Sequence, residues 1–348
     1  MKPLATIVAA SGLLAIAYCV DATGNEPAAA GDESAEIARL ATHSLLLDAT
    51  MAGPRMVVVG ERGHILLSDD QGNSWRQAPV PTRANLTAVF FLNAQLGWAV
   101  GHDQVILRSE DGGETWTRVH WAPEKEQPLL DVWFRDANEG LAIGAYGTIL
   151  KSGDGGRTWS EQIFEPRPLN AKAESTTASP SKKDEYTVES SPGDVHLNAV
   201  APASDGKLYL AAEAGHLFRS DDGGASWLEL PSPYEGSFFG VLPLDSSAVL
   251  AFGLRGHLFR SDDAGASWRA LSTGTTAMLT NAQRLDAQTI VITGLAGTLL
   301  VSHDGGQSFV LQTQADRNGL SAALAAGNKL VTAGDAGIKF IAFAGAAP

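Results

Sequence analysis

Ser68-Asp69-Asp70-Gln71-Gly72-Asn73-Ser74-Trp75 decides the fold, because it is the first of six copies of one pattern, Ser-x-Asp-x-Gly-x-Ser/Thr-aromatic. The others run from Ser109 to Trp116, Ser152 to Trp159, Ser220 to Trp227, Ser261 to Trp268 and Ser302 to Phe309. Their starts differ by 41, 43, 68, 41 and 41 residues. A fixed period of about 40 residues is the mark of a repeat architecture and overrides a domain count taken from length.

Working outward, a Gly-x-x-Gly-like turn begins eight residues before each serine. Clear copies are Gly60-Glu-Arg-Gly63, Gly144-Ala-Tyr-Gly147, Gly253-Leu-Arg-Gly256 and Gly294-Leu-Ala-Gly297. Two are degraded: one starts at Gly101 with Gln104 in the second glycine's place, the other starts at Ala212 and keeps Gly215. A seventh, Gly334-Asp-Ala-Gly337, has no box after it. An apolar residue opens a strand 14 or 15 positions upstream of each turn: Leu46, Leu86, Leu130, Leu197, Phe238, Leu279 and Leu320. The repeat number is seven.

Each period reads as four short strands, A to D. In the second they are Leu86–Leu92, Leu96–Gly101, Val105–Ser109 and Thr115–Val119, β-branched and aromatic runs separated by Gly, Asn and Asp. Four strands per period predict an all-β, seven-bladed propeller over residues 33–343. The boxes fall on the C–D hairpins. There Asp70, Asp111, Asp154, Asp222, Asp263 and Asp304 accept hydrogen bonds from their own turns. The glycine supplies a positive φ, and the aromatic ring covers the hairpin. The adjacent aspartates lack the bidentate glutamate of a calcium loop, so neither metal nor cofactor is expected.

The seventh period has only three strands, and an open edge invites unwanted pairing. Counting back 11 residues from Leu46, the usual aromatic-to-strand distance, lands on Ala35 in a faded box. Glu33–Leu40 is therefore the expected closing strand, although Glu36–Ala41 has helix-forming composition. The link between blades three and four spans 38 residues against the usual 11, and the Pro/Ser/Thr/Lys/Glu-rich stretch 166–193 reads as an insertion loop.

Residues 1–22 read as a signal peptide: Lys2, an apolar run from Leu4 to Val20, and a small-residue cleavage site. The protein is then periplasmic or secreted, with no membrane insertion after cleavage. Cys19 is the only cysteine, so no disulfide holds the fold. A formal charge of -14 argues against nucleic acid as a partner.

The boxes resemble those of Asp-box (BNR) propellers. The coupling of Gly-x-x-Gly-x-Ile/Leu to Ser-x-Asp-x-Gly-x-Ser/Thr-Trp is similar to the photosystem II stability/assembly factor family and its relatives in non-photosynthetic bacteria. The resemblance covers about residues 33–343. It implies a non-enzymatic assembly or accessory factor that binds a membrane protein or its periplasmic segment. Some relatives are encoded beside efflux-type exporters, which extends the implication to that class of complex. Asp boxes also occur in sialidases, away from the catalytic centre. A glycosidase or a carbohydrate-binding propeller is thus the alternative, but no Arg-Ile-Pro-type motif stands near the first blade.

Up-down strand order puts the B–C turns and D–A links at one end of the ring and all the boxes at the other. Variation is concentrated at the first end, where Arg62, Asp103, Tyr146, Glu213 and Arg255 occupy B–C turns, and Trp121 and Tyr234 occupy D–A links. Variable positions on a rigid scaffold are where binding resides, so these seven are the expected partner-binding residues of a monomer. His64, His216 and His257 recur where strand C opens, but Val105, Thr148, Thr298 and Ile338 stand there elsewhere, so the position reads as a strand position and not as a metal ring.

Overall fold

The computed structural model describes residues 33–169 and 194–343. The signal segment and the greater part of the insertion lie outside these residues. Seven antiparallel sheets follow one another in chain order, six with the four repeat strands and the last with three. In the second blade the strands are Leu86–Phe91, Gly97–Gly101, Ile106–Ser109 and Thr117–His120, within two residues of the sequence reading. Strand B is buried along its whole length in nearly every blade, and its apolar residues pack towards both neighbouring sheets. The core is therefore divided among the blade junctions. Val57, Val59, Ile65 and Leu67 of blade one meet Leu86, Val89 and Phe91 of blade two. At the next junction Trp98 stacks on Phe134 with ring centroids 3.4 Å apart.

The first glycine of each Gly-x-x-Gly turn answers a close approach. At Gly101 a Cβ would stand 2.0 Å from the carbonyl oxygen of Asn85, the residue before strand A. The neighbouring His102 N–H donates to that same carbonyl. Each B–C turn is thus tied to the D–A link that begins its own blade, which sets both at one end of the ring.

Strand A carries a register shift immediately after its first residue in all seven blades. This corrects the reading of blade three. Leu129, fully buried and opposite Gly144, opens the strand, and Leu130 is the bulged residue. Two adjacent leucines made the spacing ambiguous by one.

Two further expectations are corrected at the blade edges. Glu33–Leu40 does not form the closing strand; the stretch contains no strand at all. It lies on the outer rim of blade one: the Ala35 N–H donates to the Val80 carbonyl, and the Ala38 N–H to Gln77. Arg83 holds it there through Glu33 at 2.6 Å and Glu36 at 2.8 Å. The ring closes instead by face-to-face packing of blades one and seven. Met56 meets Leu324 and Val331, and Leu46, Val58 and Leu66 meet Ala333. The turn after Leu40 accepts the Ile338 N–H on the Thr42 carbonyl. The insertion, in turn, is not loop from its first residue. Arg167–Pro168 adds a fifth, parallel strand to Leu228–Glu229 of blade four. The Arg167 and Leu169 N–H groups donate to the Trp227 and Glu229 carbonyls, and Pro168, which has no N–H to give, occupies an edge where none is needed.

Candidate functional site

The C–D ends form one repeated structure. In blade three Ser152 Oγ donates to Asp154 Oδ1 and accepts the Gly156 N–H at 2.8 Å. Thr158 gives its N–H to Oδ1 and its hydroxyl to Oδ2. The Thr158 N–H and hydroxyl hold the Asp154 carboxyl down at about 2. The same serine and aspartate bonds recur in the other five boxes. The serine and aspartate side chains that define the box are committed within their own hairpins.

The B–C end is different. Arg62, Asp103, Tyr146, Ala214, Arg255 and Ala296 occupy equivalent apices, and all six have φ between 53° and 59°. This is the left-handed region, which costs a non-glycine residue on the order of 1–2 kcal/mol. The turn geometry is shared, yet glycine is not used, so six side chains project from the same end. Arg62, Tyr146 and Arg255 are exposed, Tyr146 by 59%. Leu254 and Leu295, one position earlier in their turns, add exposed apolar surface that the sequence reading did not single out.

Not all the expected residues stand free. Tyr146 packs edge-on against His196, which lies 3.6 Å from Glu213, so these three form one cluster at the junction of blades three and four. Glu213 also accepts the His196 N–H at 3.0 Å, a tether repeated by Glu61 to Leu45 and Asp335 to Gly319. Its first role is therefore within its own blade. Tyr234 is partly buried against His257, with centroids 4.1 Å apart. Trp121 folds back: its ring packs against the core between blades one and two, Arg118 covers it at 4.6 Å, and its indole N–H is buried. Asp103 is half-buried, and its carbonyl accepts the Ala122 N–H.

These turns surround the mouth of the central channel, a cavity of about 410 Å3 to which all seven blades contribute. Its walls are the bulged residues of strand A and their successors, among them Leu130, Phe239, Asp48, Asp131, Asn198 and Asn281. The polar members join the blades. Asp48 accepts the Val89 N–H and Asp131 the Val200 N–H. Thr87, Asn198 and Thr280 donate to the Leu129, Phe238 and Leu320 carbonyls. Burial pushes both Asp48 and Asp131 up to about 7, against the backbone bonds that lower them. No common residue type marks the bulge position, so this wall was not visible in the sequence.

His64, His216 and His257 have unrelated partners: His216 bonds Glu229 at 2.7 Å, His257 packs on Tyr234, and His64 is buried, which lowers its pKa. Among the described residues no three His, Cys, Asp or Glu side chains converge as a metal site.

Comparison with known proteins places these features. The family model of the photosynthesis system II assembly factor YCF48 matches residues 28–125 and 121–288. No curated protein matches the chain in sequence. Among solved structures, YCF48 bound to D1 peptide is 16% identical, with 90% of this chain and 96% of that chain covered and a TM-score of 0.66. YCF48 from Cyanidioschyzon merolae is 18% identical, with 86% and 96% covered and a TM-score of 0.64. The WD40 propeller of Doa1 is similar at 13% identity, 89% and 96% covered, with a TM-score of 0.61. At these identities the structural likenesses establish the fold.

Proposed function

The chain belongs to the photosynthesis system II assembly factor YCF48 family, and from that premise we propose that it is a non-enzymatic scaffold that binds a segment of a membrane protein during assembly of a larger complex. The observation that carries this reading is the ring of left-handed apices at the channel mouth. Six turns hold non-glycine residues in a costly conformation at one end of a rigid propeller, and Arg62, Tyr146 and Arg255 project there into solvent. Arginine and tyrosine are the residue types that dominate interface energies. In an acidic chain the two arginines give this end a local attraction for an acidic peptide segment. The relative solved with a D1 peptide supports a peptide client for this fold. The signal-like N-terminus supports action on the exported side of a membrane, and an efflux-type exporter is the complex we favour.

The test is site-specific photo-cross-linking in intact membranes. A photoreactive residue replaces Tyr146 at the mouth or Asn73 in the first box. A defined adduct with one membrane protein from position 146, absent from position 73, is expected. Adducts from position 73 alone, or turnover of a fluorogenic sialoside by the purified protein, would overturn the proposal.

A further inference from the structure

An ion pair that ties three blades to their next neighbours is dismantled in blade three. In blades two, four and five the second-last residue of strand C is an arginine, and the residue after the strand's final serine is an acid. Arg108 pairs with Glu110 at 2.7 Å, Arg219 with Asp221 at 2.9 Å and Arg260 with Asp262 at 2.7 Å. Each arginine also reaches the next blade and donates to a box carbonyl, those of Gly155, Ala264 and Gly305. Blade three has Lys151 and Gly153 at these two positions. The Lys151 ammonium has neither ion pair nor hydrogen bond among the described residues, and burial lowers its pKa. The bond to blade four is made instead by Arg135, which donates to the Gly223 carbonyl at 3.3 Å and pairs with Glu139.

The replacement leaves space. Lys151 lines a cavity of about 450 Å3 between blade three and the box of blade four, with Trp133 and Leu141 as apolar walls and Ser160 at its side. Gly153 lines it too, and nothing in the backbone requires glycine there. Its φ is not left-handed, and an added Cβ would meet no atom within 4 Å. An acid could stand at 153 as it does in blades one, two, four and five, and its absence leaves the lysine unpaired.

We propose that this cavity binds a carboxylate, of the kind carried on an acidic peptide side chain, with the Lys151 ammonium as its counter-ion. A partly buried cation without a partner is stabilised by any anion that reaches it. Glu139 and Asp222 border the space, so a doubly charged phosphate meets more repulsion than a singly charged carboxylate. Trp133 and Leu141 offer cover for the carbon stem behind the charge. The site lies at the box end of the ring, opposite the channel mouth, and stands independently of the peptide-binding reading.

The experiment follows the Lys151 amine by NMR after reductive 13C-methylation, its signal identified by its loss in Lys151→Met. Propionate is the probe and inorganic phosphate the comparison. In the wild type, propionate raises the Lys151 pKa by about one pH unit, and phosphate raises it less. In Gly153→Asp, which restores the partner seen in other blades and has room to fold, the pKa is already raised and propionate adds nothing. An unchanged pKa in propionate overturns the proposal, as does an equal response in Gly153→Asp. A larger response to phosphate overturns the carboxylate assignment.

Discussion

The two ends of the ring are built from the same seven-fold repeat and use it in opposite ways. At the box end six hairpins repeat the same serine, aspartate and glycine bonds, and the residue types repeat with them. At the mouth the backbone repeats just as faithfully, with six left-handed apices, but the side chains are Arg, Asp, Tyr, Ala, Arg and Ala. Chemistry that repeats with the backbone serves the backbone. Chemistry that varies on a repeated backbone is released from that duty, and it is there that a client surface can diverge. The carboxylates show the same contrast: Asp154 is held at about 2 by the donors of its turn, while Asp48 and Asp131 are raised to about 7 by burial in the channel wall.

The contrast would break first on stability. Ser220 is fully buried, and its Oγ accepts the Gly224 N–H at 2.7 Å while donating to Asp222. Ser220→Ala leaves that N–H unsatisfied and should cost about 1–3 kcal/mol in denaturant titration, with client binding unchanged once the protein is folded. Loss of binding without loss of stability would place function at the box end.

A smaller effect is expected with pH, and the two ends give it opposite signs. Asp48 and Asp131 have folded pKa values above the ordinary 3.8, so between about pH 4 and 7 the folded chain holds protons that the unfolded chain has released. Their contribution is fully present below pH 4 and is lost as pH rises through 7. The box aspartates are all depressed, so theirs is present above pH 4 and lost on acidification. Melting temperature measured from pH 4 to 8 should show a decline in the wild type that flattens in Asp48→Asn/Asp131→Asn. The acid limb should be unaltered. An unchanged slope in the double variant would remove the channel carboxylates from the account.

The smallest effect belongs to the apices. Ala214→Gly relieves the left-handed strain but frees the unfolded chain, so the net change in stability should stay within about 1 kcal/mol. At the box end Gly224→Ala should destabilise clearly, because φ is 85° and the new Cβ would stand 2.9 Å from Leu141. Thermal melts of the pair would sharpen the comparison, and equal losses would contradict it.

What the sequence showed and what it hid follow the same division. Blade number, strand order and the box hairpins were legible because each rests on residues that recur at one period. Ring closure was misread because the count presumed a fourth strand in blade seven, whereas Arg83 and Gln77 draw residues 33–40 onto blade one. The fifth strand at Arg167–Pro168 was hidden inside a composition that reads as loop. The channel wall was invisible because Leu47, Thr87, Leu130, Asn198, Phe239, Thr280 and Ser321 share a bulge and no chemistry. Trp121 was expected among the partner-binding residues, but its ring finds apolar cover in the core between blades one and two.

The central claim is that the client binds at the channel mouth. Its most direct test is the affinity of Arg62→Glu/Arg255→Glu for the membrane-protein segment recovered by cross-linking at Tyr146. The control is Lys207→Glu/Arg157→Glu, an equal change of charge at the box end. With both variants folded as the wild type, the account predicts a loss of affinity of more than about tenfold for the first pair, since each arginine of an interface commonly carries over 1 kcal/mol, and little change for the second. Equal losses from the two pairs, or none from the first, would contradict it.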